Sequence, residues 1–97
     1  MAMDERRRAE IATALDAYAR ANPGVELPRN AARLLTVMFP TGGVCQRSLQ
    51  DIAGEGFDRK RLPGTLRRLV GLGVLSRQPG SGVVPDTYHL HLPPVRP

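Results

Sequence analysis

The sequence predicts a mainly helical α+β chain in which four helices precede a small β-hairpin. Three observations carry this expectation. Apolar residues recur at the helical period in residues 4–22, 28–39, 48–56 and 62–72. Clean alternation of apolar and polar residues occurs at Thr87-Tyr88-His89-Leu90-His91-Leu92. Turn-forming clusters (Asn22-Pro23-Gly24, Thr41-Gly42-Gly43 and Gln78 to Asp86) separate the segments. At 97 residues the chain is one small domain, 1–97, with room for a single modest core. Aromatics are few (Tyr18, Phe39, Phe57 and Tyr88), so leucine, valine and alanine must fill that core.

The first helix carries Ile11, Ala14, Leu15 and Tyr18 on one face, with Asp4 and Glu5 at its positive end. Arg6, Arg7 and Arg8 lie beside Asp4, Glu5 and Glu10, which predicts a solvated, self-paired face. In the second helix Pro28 suits the first position, the stretch runs to Phe39 before Pro40, and Ala31, Leu34, Leu35 and Met38 face inward. Val44-Cys45-Gln46 reads as a short extended piece. Ser48-Leu49-Gln50-Asp51 has the form of an N-terminal capping box with Asp in the usual Glu position, and Leu49, Ile52 and Ala53 form the apolar side of a short helix. A turn at Gly56-Phe57-Asp58 leads to the fourth helix. Val74 to Arg77 and Thr87 to Leu92 then pair as a hairpin whose loop is too long for a tight turn. Pro93 to Pro97 is a tail.

The fourth helix raises a question of where it starts. Leu62, Leu66 and Leu69 have helical spacing, yet Pro63 falls among them. In mid-helix a proline costs about 3 kcal/mol, whereas in the first turn its missing amide is not needed. Regular helix is therefore expected to begin at Leu62 or Pro63, with Asp58 to Arg61 as a turn or lead-in.

Charge narrows the function. Net charge is +5, and residues 1–30 contribute nothing to it, with five acids against five arginines. Residues 47–77 hold seven basic side chains against three acidic ones, so nearly all the excess sits in one third of the chain. That distribution suits a polyanionic partner. The lone Cys45 excludes an internal disulfide and fits a structural thiol in a reducing compartment. With no apolar run long enough for a membrane span and no secretory signal, a cytoplasmic protein associated with the nucleoid is expected. His89 and His91 face the same way on a strand but have no evident third ligand, so no metal site is expected. There is no phosphate-binding loop, no serine–histidine–acid set and no carboxylate pair in an apolar setting. Neither catalysis nor a cofactor is expected.

Residues 43–92 resemble the winged helix-turn-helix of bacterial transcription regulators, including the multiple-antibiotic-resistance type. The stretch RSLQDIAGEGFDRKRLPGTLRRLVGLGVLSR runs in step with that pattern without a gap. Ala53 is its small residue, Gly56 to Asp58 its turn, Leu62 and Leu69 its anchors, and Gly73-Val74-Leu75 its entry to the first wing strand. The resemblance implies sequence-specific binding of double-stranded DNA by a transcription regulator, with the wing residues Arg77, Gln78 and Ser81 reaching the backbone or minor groove. It also implies a homodimer, for which the first helix (Ile11, Leu15, Tyr18) or the second is a candidate interface. A small-molecule effector is left undefined.

The residues themselves are suited to that role. A recognition helix needs one apolar side against its partner helix and one polar side for the groove. With the leucines inward, Lys60, Arg61, Gly64, Arg67 and Arg68 fall on or beside the outer face. A start near Pro63 puts Arg59, Lys60 and Arg61 at the entrance, where they favour phosphates, and leaves base readout to Thr65, Arg67 and Arg68, with Gly64 permitting close backbone approach. Arg47 and Ser48, at the start of the preceding helix, form a candidate phosphate contact. Two alternatives use the same features: a winged-helix protein-interaction module, and a DNA-binding accessory factor of a replication or mobile-element machine.

Overall fold

Helical periodicity, turn residues and a short alternating strand assemble into seven elements in the computed structural model, which describes residues 3–92. They are α1 (Met3–Ala21), α2 (Ala31–Met38), β1 (Val44–Cys45), α3 (Leu49–Ala53), α4 (Leu62–Gly71), β2 (Leu75–Gln78) and β3 (Thr87–Leu90). Among the described residues these make an α+β fold of four helices and a three-stranded antiparallel sheet in the order β1-β3-β2. The tail expected at 93–97 lies outside the described residues.

The inner faces of α1 and α2 pack on each other as their periodicity requires. Ile11, Ala14 and Leu15 are buried, as are Ala31, Leu34, Leu35, Met38 and Phe39. Cys45, Ile52, Leu62, Leu66, Leu69, Val74, Leu75 and Tyr88 join Ile11, Leu15 and the α2 residues in one continuous core. Ile11 and Leu15 are therefore used inside the chain, at 2% and 6% exposure. The Tyr18 hydroxyl donates to the Leu72 carbonyl at 2.6 Å. The dimer interface expected from Ile11, Leu15 and Tyr18 is in fact the seam between α1 and the rest of the molecule.

One expectation about α2 and one about Arg7 of α1 need correction. Its regular part starts at Ala31 rather than Pro28, because the Ala31 amide closes a turn onto the Pro28 carbonyl at 3.1 Å and Asn30 leaves helical geometry. At its other end no basic residue of its own covers the last carbonyls, so arginines from elsewhere do. Arg7 donates to the Phe39 carbonyl at 2.8 Å and the Gly42 carbonyl at 2.5 Å, and Arg47 to the Val37 carbonyl at 3.4 Å. Arg7 keeps a loose pair with Glu10 at 3.5 Å, but its main work is across the fold rather than along α1.

Ser48 caps α3 by accepting the Asp51 amide on Oγ at 3.1 Å. The reciprocal half of the capping box is replaced, since the shorter Asp51 side chain pairs with Arg47 at 3.2 Å. α4 starts at Leu62 with Pro63 in its first turn, which resolves the conflict between proline and leucine spacing. It ends in a Schellman motif: Val74 donates to Leu69 and Gly73 to Val70, both at 3.0 Å, with Gly73 at φ +80°. That left-handed turn suits glycine and sends the chain directly into β2.

The hairpin pairs Arg77 with Tyr88 and Leu75 with Leu90. β1, expected only as an extended piece, adds to the other edge of β3, pairing Cys45 with Tyr88 and Val44 with His89. Tyr88 is buried, while its neighbours His89 and Leu90 are only half-buried.

Candidate nucleic-acid interface

The surface of α4 divides into four rows, as 3.6 residues per turn dictates. Leu62, Leu66 and Leu69 point into the core. Thr65 and Arg61 line a cleft with Pro28, Arg29 and Asn30 on the α1–α2 side. Pro63, Arg67 and Val70 line a second groove, of about 260 Å³, shared with Leu49, Arg77, Asp86 and Tyr88 on the hairpin side. Gly64 and Gly71 lie exposed between these flanks, and a Cβ built on either would meet nothing within 4 Å.

Ion pairs and hydrogen bonds sort the predicted site residues. Arg68 donates twice to the Glu26 carbonyl, at 2.7 and 3.2 Å, and so ties α4 to the loop after α1. Arg47 pairs with Asp51 and Glu55, both at 3.2 Å, and these carboxylates raise the proton affinity of a guanidinium that is already always charged. Arg61 lies 3.7 Å from Asp58 and Arg77 3.3 Å from Asp86. Thr65 donates its hydroxyl to the Arg61 carbonyl at 3.2 Å, and Ser48 is used as the cap of α3. Arg59, Lys60 and Arg67 are exposed and make no side-chain hydrogen bond or ion pair among the described residues. Of the predicted site residues, three cations are thus left free, at the entrance to α4 and on its hairpin side; Arg6, Arg8 and Arg29, also without such a contact, lie elsewhere in the sequence.

The α3–α4 turn that presents Arg59 and Lys60 is held from α2. Arg33 stacks on the Phe57 ring at 4.5 Å and donates to the carbonyls of Glu55 and Gly56 at 3.1 and 3.3 Å. Asp58 then accepts the Lys60 amide at 2.9 Å and so fixes the lead-in. The loop after β2 crosses in front of α3: Val84, Pro85 and Asp86 line a groove with Ser48, Gln50 and Arg59. Arg59, Arg67, Gln50 and the hairpin are therefore brought to one side of the molecule. Gln78 and Ser81 are exposed along that hairpin.

Sequence reasoning passed over four residues of this side: Gln50, Val83, Val84 and Asp86. Asp86 accepts the Gly80 amide at 2.8 Å as well as holding Arg77. Val83 is 100% exposed and Val84 48%. The signal available was the apolar pair inside the turn-rich run Pro79-Gly80-Ser81-Gly82-Val83-Val84-Pro85, where a loop ordinarily carries polar residues. Cys45 is buried, and burial pushes its thiol up, opposed by its hydrogen bond with the Arg47 backbone. Burial thus favours the protonated thiol over the reactive thiolate. His91 shares a 2.7 Å hydrogen bond with Ser76 Oγ.

Comparisons of the chain with protein-family models, with curated proteins and with solved structures return no match. Among the described residues no helix is long and apolar enough to cross a membrane.

Proposed function

We propose that the chain is a winged helix-turn-helix protein that binds double-stranded DNA and acts as a transcription regulator. In this reading α4 lies in the major groove, and the β2–β3 hairpin is a wing against the backbone. The observation that carries it is the outer side of α4, where the open backbone at Gly64 stands beside the free cations Arg59, Lys60 and Arg67. Arginine grips guanine edges in a fork and clamps phosphates, and a bare backbone lets a helix sit deep. The element order of helix, helix, strand, helix, turn, helix and hairpin supports the winged arrangement.

Arg67 takes the base-reading position, and Arg59 and Lys60 take phosphates. Arg68 and Arg47 serve the fold, since each already has protein partners. Arg77 reaches a phosphate only by leaving Asp86. The proposal includes a homodimer whose two-fold axis matches a near-palindromic site, with an interface outside the buried face of α1.

Selection from a random duplex library, followed by footprinting and a salt titration, tests the proposal. Three phosphate contacts per protomer, one for each of Arg59, Lys60 and Arg67, give a slope of log affinity against log salt of about −2 to −3. Arg67→Glu is expected to abolish binding while the helical spectrum stays unchanged. Failure to retain any duplex at low salt, or a response flat in salt, overturns the proposal.

A further inference from the structure

The two faces of the sheet differ in chemistry. Strand alternation turns Cys45, Leu75, Tyr88 and Leu90 toward the core, and Arg77 shares their side. The opposite face holds Val44, Ser76, Gln78, Thr87 and His89. His91 continues it beyond β3, its amide bonded to the Val74 carbonyl at 2.8 Å. None of these six residues is an acid, a lysine or an arginine. Val44, directly opposite His89, is 59% exposed. The face thus carries two imidazoles and an exposed apolar side chain, with no fixed charge.

His89 and His91 stand two residues apart on one side of the strand, so their Cα atoms are about 7 Å apart and both rings can reach one ion. His91 is already oriented. Its Nε2 lies 2.7 Å from Ser76 Oγ, and Ser76 stands in register opposite His89. Ligating histidines are held in this way, one ring nitrogen hydrogen-bonded to a neighbour and the other left for the metal. One chain stops at two ligands: among the described residues no group of three or more histidine, cysteine, aspartate or glutamate side chains is placed to hold a metal.

We propose that His89 and His91 form half of a zinc site, completed by the same pair from a second copy across a two-fold axis. Four imidazole nitrogens give the tetrahedral set that Zn²⁺ favours, each at about 2.0–2.1 Å from the ion. In each chain His91 donates Nε2–H to Ser76 Oγ and presents its Nδ1 lone pair to the metal. An isologous contact sets each face against itself, so a charge-free face meets no like charge where one bearing arginines would. The same contact covers Val44, whose exposure is otherwise unexplained. The site rests on the homodimer of the proposed reading and not on DNA binding, because it lies on the side of the sheet away from Tyr88 and the groove shared with α4.

Calorimetric titration of the full chain with Zn²⁺, paired with sedimentation equilibrium in Zn²⁺ and in chelator, tests the site. One Zn²⁺ per two chains is expected, with the mass doubling on metal and returning in chelator. Co²⁺ in place of Zn²⁺ is expected to give the strong visible bands of a tetrahedral site; a weak octahedral spectrum overturns the four-histidine set. The double variant His89→Gln/His91→Gln is expected to lose both zinc binding and the doubling, with its helical spectrum in chelator unchanged. Ser76→Ala keeps the ligands and is expected to weaken zinc binding roughly 10-fold. One ion per chain without doubling, or binding that survives in the double variant, overturns the shared site. A dimer that binds no Zn²⁺ overturns the site and leaves the homodimer standing, whereas a monomer under both conditions removes the two together. Duplex affinity is measured separately, so its loss leaves the zinc result intact.

Discussion

Gly64→Ala separates what α4 needs for folding from what it needs for binding. Glycine in a helix costs roughly 0.5–1 kcal/mol against alanine through backbone entropy. At Gly64 nothing in the fold offsets that cost: its φ is not positive, and a Cβ would meet no atom within 4 Å. Alanine is therefore expected to stabilise the chain, by about 0.5 kcal/mol since the position lies in the first turn, where the gain is at the low end. With an unfolding entropy near 2.1 cal/mol/K per residue, that is a rise in Tm of about 2–3 °C. On DNA the sign reverses. A methyl needs about 3.5–4 Å to the nearest base or sugar carbon. It lifts the helix and loosens the neighbouring Arg67 fork, a contact worth about 1–3 kcal/mol, so affinity falls roughly 10- to 100-fold. Circular dichroism melting and anisotropy on a selected duplex read the two effects on one sample. A more stable variant that binds as well as wild type would show that this side of α4 does not approach DNA. A less stable variant would refute the account of the open space above Gly64.

Asp86→Asn keeps an acceptor for the Gly80 amide but releases Arg77; duplex affinity is expected to rise several-fold and the salt slope to steepen by about 1 per protomer, as read by anisotropy at graded salt. Arg68→Ala removes two bonds to the Glu26 carbonyl, so hydrogen exchange should speed up in residues 25–28 while duplex affinity falls far less than in Arg67→Ala. Ser48→Ala deletes the cap of α3 and is expected to cost about 1 kcal/mol in urea unfolding. Alkaline pH should destabilise the fold. Burial, as the main cause, raises both the Cys45 thiol and the Tyr88 phenol, so the unfolded chain gives up protons first, near pH 8.5 and about 10 respectively. The contribution of each is whole below its unfolded value and is lost as pH rises through the folded one. Tm measured from pH 7 to 11 should decline, and Cys45→Ala should flatten the early part of the decline.

Local chemistry was readable and long-range engagement was not. The spacing of Leu62, Leu66 and Leu69 and the rule for Pro63 together narrow the start of α4 to Leu62 or Pro63, and it falls at Leu62, because both act within one turn of chain. Ser48 likewise announces its cap, and Gly73 the end of α4. The free and the engaged arginines look identical in sequence. Arg68 is committed by a carbonyl 42 positions away, and Arg7 by carbonyls 32 and 35 away, which only tertiary packing brings near. The pairing of β1 with β3 escaped notice for the same reason: two residues, Val44 and Cys45, carry too short a pattern to declare a partner. At Pro28 the rule for proline was applied at the wrong place, since a turn intervenes before Ala31.

The join between α4 and β2 has a consequence for tolerance of insertions. The Val74 amide is bonded back to Leu69, its carbonyl accepts the His91 amide at 2.8 Å, and Val74 is completely buried. One residue thus belongs at once to the end of the helix, the base of the hairpin and the core. Little slack exists there to be taken up, so the hydrogen bonds and burial of Val74 couple helix and hairpin as the two jaws of a caliper. On the DNA-binding proposal, such a caliper measures groove spacing instead of adapting to it. One extra residue after Gly73 would rotate one jaw relative to the other, whereas a residue added between Ser81 and Val83 would only lengthen a tip.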